Sequence, residues 1–517
     1  MKTMEVFKSI ALCFSGGGYR AACFSLGTLS LLEKVGLLEN VKAISTVSGG
    51  TITGVKYAQS QIEEKEFQAF FDEYYAWLAN DELTSNALSH LRWPLIWNQP
   101  ENKHKRKNPI NAFAIEYNKL TNHATLGQVQ NAISEGKTHL ERVIFNATDF
   151  DSTHQFRFQN IKGNQKRFGN GKVHSKYKGV IDDIKLGDII AASTAFPGGF
   201  EPIGFPYDFS PKHNDLEEIG LMDGGIVDNQ GASVFVSEAQ NQCDGKPELH
   251  DLYFLCDVSS PYPGEGFKFA SDSWFSKYVS YVSSAFTLLF MLIVTVFFGV
   301  QKMMVWYTIS VVILAFLVFI HFLFFSLSKL MQNETGVDQR LYLPPRRVGF
   351  YILNRAKSLV RMASVVFLKN DRRQHASAIY STFPNKIITS TVYELRCKDA
   401  IGNQTSRPEN ERGWEEIVKH TGEIGEPIIK NSNKSASFGT TLWFTQKDKA
   451  SDMLNNVIAC GEYTACYNLL SYLIIQYKDE VAEIPIFREL LSLWGEFQEN
   501  PKFLVEERQE KIKTMNG

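Results

Sequence analysis

Three short stretches of this 517-residue chain carry residue types suited to acyl transfer. In ISTVSGGTITG, residues 44–54, a strand-like apolar run leads directly into Ser48, and Gly49, Gly50 and small threonines open a helix. A hydroxyl on such a strand-to-helix turn is held up at the edge of a sheet, the geometry of a nucleophile elbow. The usual Gly-x-Ser-x-Gly spacing is incomplete, because Thr46 stands in place of the first glycine. Taken alone, a plain Ser-Gly-Gly turn competes with the nucleophile reading.

The second stretch is ALCFSGGGYRAACFSLGTLSLLEKVG, residues 11–36. Glycine weakens strands and helices alike, so Gly16, Gly17 and Gly18 between a strand-like and a helix-like run need a local reason. Backbone amides brought close to a negative charge at a helix start are such a reason. If the preceding strand neighbours the one before Ser48, the Gly17 and Gly18 amides face the oxyanion formed when Ser48 attacks an ester. Losing one such donor slows acyl transfer by roughly 100- to 1,000-fold. Arg20, two residues on, is placed to neutralise a substrate phosphate or steady the developing charge. A dinucleotide loop is the alternative, but Gly-x-Gly-x-x-Gly is not matched and no acidic ribose partner is evident.

A serine nucleophile needs a base, and the eleven histidines offer none in a distinctive setting. His90, His104, His139, His154 and His213 fall in polar stretches, and His321 lies in an apolar run. The third stretch, IGLMDGGIVDNQG, places Asp223 at a strand end before Gly224 and Gly225, a tight turn from which a carboxylate can project. By itself it also reads as a simple turn.

These residues need a scaffold, and the first half of the chain supplies its pattern. SIALCF, VKAIST, LERVIFNATDF and DLYFLCDVS read as buried strands of a mostly parallel sheet, with a helix over about 19–35 and another starting after Ser48. Such alternation predicts an α/β fold with helices on both faces, whose ligands bind at the carboxyl edge of the sheet. The basic run KHKRK, residues 103–107, reads as a solvated loop, with contact to anionic lipid headgroups as a second reading.

A net charge of −2 gives no pull toward nucleic acid, and seven scattered cysteines, an odd number without CxxC spacing, read as reduced thiols of a cytosol-facing protein. Residues 278–301 and 303–328 carry no charge, with Lys302 between them. Each run reaches the roughly 20 residues that cross a bilayer as a helix, so a transmembrane hairpin is expected over 278–328. Lys268 and Lys277 precede it, and Lys329, Arg340, Arg346 and Arg347 follow, which puts both ends in the cytoplasm. The expected organisation is a catalytic core over 1–260 and a connector over 261–277 before the hairpin. After it come the rest of the catalytic domain over 329–475, with a long loop near 399–437, and a helical tail over 476–517.

Taken together, the motifs resemble the patatin superfamily of acyl hydrolases. SGGGYRAA resembles the oxyanion and arginine segment of its cytosolic phospholipase branch, VSGGT its nucleophile turn, and DGGIVDNQG its Asp-Gly-Gly motif. AASTAFPGGFEPI, NATDF and CGEYTACYNLL are similar to further family stretches, whereas the hairpin has no family counterpart and looks inserted. The resemblance implies a three-layer α/β/α fold and a Ser-Asp dyad without histidine. Ser48 would be the nucleophile, Asp223 the general base with a raised pKa, and Gly16, Gly17, Gly18 and Gly49 the oxyanion loop. No cofactor or metal is implied. The resulting expectation is a membrane-anchored serine hydrolase of phospholipid acyl esters, controlled by access, self-assembly or a partner. A lysophospholipase, a neutral-lipid esterase and a non-catalytic membrane scaffold remain open alternatives.

Overall fold

The computed structural model describes residues 6–161, 168–170, 181–211, 217–241, 250–260, 281–335, 354–359, 361–396 and 413–516. Contacts divide the chain into two compact units, one formed by residues 1–261 and 368–517 and the other by residues 262–367.

The first unit is a mixed α/β structure around an eight-stranded sheet. Strand β1 (Ile10–Phe14) sits centrally and pairs in parallel with β2 (Val41–Val47) on one side and β7 (Leu252–Asp257) on the other. The sheet continues from β2 to β3 (Arg142–Asp149) and from β7 to β8 (Ile387–Thr391), again in parallel. β1, β3 and β7 are buried at every position, as expected of sheet strands covered on both faces. Helix α1 (Gly18–Lys34) follows β1, and α2 (Gly49–Ile62) follows β2. The remaining strands, β4 (His154–Ile161), β5 (Ile203–Phe205) and β6 (Ile219–Asp223), are antiparallel additions.

One register detail positions the site. β2 runs along β3 as far as Val47 opposite Asn146. β6 runs along the next part of β3 in the opposite sense, ending with Asp223 opposite Ala147. The carboxyl ends of β2 and β6 therefore meet head to head at adjacent positions of one strand. Residue 48, the first after β2, and residue 223, the last of β6, are brought together across 175 positions of sequence.

The core is closed by the helix Met453–Tyr477, buried along most of its length. It crosses α1 almost backbone to backbone. A methyl group on Gly27 would fall 1.9 Å from the carbonyl oxygen of Ile458, and one on Gly461 would fall 2.1 Å from that of Phe24. Only glycine admits that approach. Five described cysteines, Cys13, Cys23, Cys256, Cys460 and Cys466, are buried and free; Cys243 and Cys397 lie outside the described residues.

Two expectations are corrected. The supposed long loop near 399–437 contains the helices Trp414–Thr421 and Glu426–Ser437, which bury Ile417 and Ile428; residues 397–412 lie outside the described residues. The basic run at 103–107 is not simply solvated. Lys105 and Asp188 form an ion pair at 2.8 Å with both side chains fully buried, and Arg106 pairs with Asp208 and Glu218.

The second unit contains the helices Tyr281–Val300 and Met304–Thr335, which pack on each other, joined at Lys302 in left-handed backbone. Among the described residues, one helical segment, Met304–Leu323, is long and apolar enough to cross a membrane. The apolar part of its neighbour, Ala285–Val300, is shorter. Large apolar side chains such as Phe290, Phe316 and Phe322 are exposed around both helices.

Candidate active site

Ser48 occupies a backbone conformation that L-residues rarely adopt, with φ 49° and ψ −120°. Non-glycine backbone of this kind costs of order 1–3 kcal/mol and persists only where its surroundings hold it. The surroundings here are specific. The Ser48 amide donates to Ser193 Oγ at 2.9 Å, and its carbonyl accepts from Thr51 N at 2.8 Å. Ser193 Oγ donates to the Asn146 carbonyl at 2.6 Å and lies 2.8 Å from Thr51 Oγ1, which in turn accepts from Thr46 Oγ1. Asn146 donates to Ser45 Oγ and to the Thr46 carbonyl, pinning the end of β2 to β3. Thr46, in place of the elbow glycine, thus takes part in the hydroxyl chain behind the turn.

The Ser48 hydroxyl donates to Asp223 Oδ2 at 2.6 Å. The other carboxylate oxygen, Oδ1, accepts from the Gly225 amide at 2.7 Å. The Asp223 backbone is fixed on both sides, its amide donating to the Ala195 carbonyl and its carbonyl accepting from Thr148 Oγ1. Burial raises the Asp223 pKa to about 6, against the downward pull of the Ser48 and Gly225 hydrogen bonds. A carboxylate in apolar surroundings, with its proton affinity raised toward neutrality, is what direct activation of a hydroxyl requires. No histidine hydrogen-bonds either residue among the described residues.

The glycine loop packs against this turn. A methyl group on Gly16 would lie 3.2 Å from Ser48 Cβ, and one on Gly49 would lie 2.1 Å from the Gly18 carbonyl oxygen. Gly17 and Gly18 both have positive φ, 146° and 56°. Their amides, at the start of α1, have no acceptor among the described residues, as expected of donors at a helix N-terminus. Gly16 differs from the expectation of a free donor, because its amide is given to the Asn229 carbonyl at 3.1 Å. Gly49 opens α2 and lets the two loops approach.

Arg20 is also placed differently from the expectation. Its side chain is buried at 6% exposure, and its guanidinium donates to the Phe438 carbonyl at 2.6 Å and to the Tyr393 hydroxyl at 3.0 Å. It is turned toward these groups and not toward the Ser48–Asp223 pair. Sequence reasoning assigned no role to Ser193, Thr51, Asn146 or Asn229. Ser193 and Asn229 lie inside stretches already singled out, AASTAFPGGFEPI and DGGIVDNQG, but a small polar residue at a helix end has too many ordinary uses to be marked by type alone. Among the described residues no cluster of three His, Cys, Asp or Glu side chains could hold a metal ion.

Apolar side chains stand exposed beside both halves of the site. Phe196 follows Ala195, whose carbonyl holds the Asp223 amide, and Trp443 lies two residues from Thr441, whose carbonyl oxygen abuts Gly18. Each is 43% exposed.

The model of the family described as patatin-like phospholipase matches residues 12–236, from β1 into the helix that follows the Asp223 turn. No curated protein matches the chain. Among solved structures it is similar to VipD from Legionella pneumophila, at 10% identity over 97% of this chain and 81% of that one. The TM-score of that pair is 0.25, too low to support an inference. Residues 12–236, which include both Ser48 and Asp223, therefore form a patatin-like phospholipase domain, and through it the chain is a lipid acyl hydrolase.

Proposed function

We propose that the chain hydrolyses fatty acyl esters of membrane phospholipid through a Ser48–Asp223 dyad. The observation that carries the reading is the 2.6 Å hydrogen bond from the Ser48 hydroxyl to a buried carboxyl whose pKa is raised to about 6. Ser48 Oγ attacks the ester carbonyl as its proton passes to Asp223 Oδ2. The Gly17 and Gly18 amides take the oxyanion, a role consistent with their lack of an acceptor among the described residues. Collapse of the tetrahedral intermediate breaks the acyl–oxygen bond, and Asp223 returns the proton to the leaving lysophospholipid. A water molecule then gives a proton to Asp223 and attacks the acyl-Ser48 ester. The second intermediate releases the fatty acid as the proton returns to Ser48. Arg20 acts as a clamp between α1 and residue 438, not as a ligand for substrate phosphate.

The same reading takes residues 278–328 as a transmembrane hairpin with both ends in the cytoplasm, supported by the length of Met304–Leu323 and the lysines and arginines flanking the pair. A tethered hydrolase stays at its substrate, which raises effective concentration without any new contact in the site. Exposed Phe196 and Trp443 beside the dyad suit an apolar acyl chain leaving a bilayer.

The test is fatty-acid release by the full chain in phospholipid vesicles, beside Ser48→Ala and Asp223→Ala, together with serine labelling by a fluorophosphonate. Release by the wild type alone supports the dyad. Labelling without release moves the substrate to another lipid ester. A wild type that neither releases nor labels makes the domain a scaffold.

A further inference from the structure

The mechanism leaves unused a group of polar residues where the chain departs from the catalytic unit. β7 ends at Asp257, residues 258–260 follow, and the chain re-enters this unit at Leu368, four residues before Arg372. This neck is tied shut. Arg372 Nε donates to fully buried Asp257 Oδ2 at 2.5 Å, and Asp257 also accepts from Gln230 Nε2 and from the Ser259 amide.

The outgoing strand of the neck touches both halves of the site. The Val258 amide donates to Ser15 Oγ at 3.1 Å, and a methyl group on Gly17 would fall 2.4 Å from Val258 Cγ2. Ser259 Oγ accepts from Asn229 Nδ2 at 2.8 Å. Asn229 in turn stands between the two catalytic loops. Its carbonyl accepts from the Gly16 amide, and its Oδ1 would lie 2.6 Å from a methyl on Gly16 and 2.8 Å from one on Gly225. Gly225 is the residue whose amide holds Asp223 Oδ1.

We propose that Asn229 is a positioning residue for the acyl-transfer reaction, and that the Asp257–Arg372 clasp at the neck of the insertion fixes it through Ser259. The inference rests on the Ser48–Asp223 reading. Asn229 touches no reacting atom in that scheme. It sets the spacing between the oxyanion donors of the glycine loop and the carboxylate turn, which otherwise belong to different parts of the sheet. Catalytic groups displaced by about 1 Å can lose on the order of 100-fold in rate.

The experiment compares wild type, Asn229→Ala, Ser259→Ala, Arg372→Met and Arg372→Lys as full chains in phospholipid vesicles. It reads kcat and KM for fatty-acid release, the rate of fluorophosphonate labelling, and the fraction of protein labelled at completion. The expected result for Asn229→Ala is a kcat and a labelling rate lower by about 10- to 100-fold, with KM and the final labelled fraction within twofold of wild type. Arg372→Met should shift the same two quantities, and Arg372→Lys should recover part of the loss. A lower final fraction with unchanged rate per labelled molecule means a purely structural residue and overturns the proposal, as does an Asn229→Ala enzyme indistinguishable from wild type. A wild type that neither releases nor labels refutes the Ser48 mechanism itself, a different outcome from either.

Discussion

Exchanging Asp223 for asparagine should remove activity and raise stability, and the rise should depend on pH. The buried carboxyl titrates at about 6, against 3.8 for an ordinary aspartate. The native state thus holds the proton more tightly than the unfolded chain does. The stability this confers is fully present below 3.8 and is lost as pH rises through 6, the reverse of a salt-bridged aspartate. At about 1.4 kcal/mol per tenfold, full ionisation in the folded state forfeits about 3 kcal/mol. Roughly half of that loss falls between pH 5 and pH 8. Asparagine keeps an oxygen for the Gly225 amide and presents an amide to Ser48 Oγ, so the charge is the principal change. Unfolding midpoints of wild type and Asp223→Asn, measured on the full chain in one detergent at one scan rate, should diverge between pH 5 and pH 8 in favour of the variant. Over the same range wild-type kcat/KM should climb about tenfold per pH unit below 6 and level off above it. A stability gap of equal size at both pH values, or a variant that still hydrolyses ester with the same pH limb, would refute a buried, titrating base.

The elbow and the helix crossing give further tests. Ser193→Ala takes the acceptor from the Ser48 amide and the donor from the Asn146 carbonyl; kcat on a soluble ester should fall about 10- to 100-fold with KM little changed, and stability should drop by about 1–3 kcal/mol. Gly49→Ala places a methyl 2.1 Å from the Gly18 carbonyl oxygen, and should slow fluorophosphonate labelling of Ser48 by at least about 100-fold by moving the oxyanion donors. Gly461→Val must separate α1 from the Met453–Tyr477 helix, and should cost more than about 3 kcal/mol in denaturant unfolding.

What was legible in the sequence was local. β1 and β7 announce themselves through the apolar runs IALCF and LYFLC, β2 and β3 through apolar-rich but mixed stretches, and Ser48 and Asp223 stand out because glycine follows each at the end of a strand-like run. What was not legible depends on partners far away in sequence. Arg20 looks like a free cation until Tyr393 and the Phe438 carbonyl are brought to it from more than 370 residues away. Lys105 looks solvated until Asp188 pairs with it in the interior. The helices within 413–437 were hidden by polar composition, because their apolar faces are short and are completed by the Met453–Tyr477 helix. The antiparallel direction of β6 was the most consequential omission. Its direction on β3, which no local pattern encodes, is what turns the Asp223 end toward Ser48.

The position of the insertion follows from the same sheet. β1, β2 and β7 run in parallel, so the glycine loop, the Ser48 elbow and the segment after Asp257 all leave from one carboxyl edge. β7 and β8 are also parallel and need a crossover, which the helix Leu368–Thr382 supplies, with Arg372 near its start beside Asp257 and β8 following its end. Residues 262–367 thus occupy a strand-to-helix loop of the catalytic unit, the same kind of loop that carries the two other site segments. Loops at this edge accept long additions because the backbone there is not committed to the sheet, and they are also where open α/β sheets place their ligands. Placed after β7, the insertion begins three residues beyond Ser259, the acceptor of the Asn229 side-chain amide.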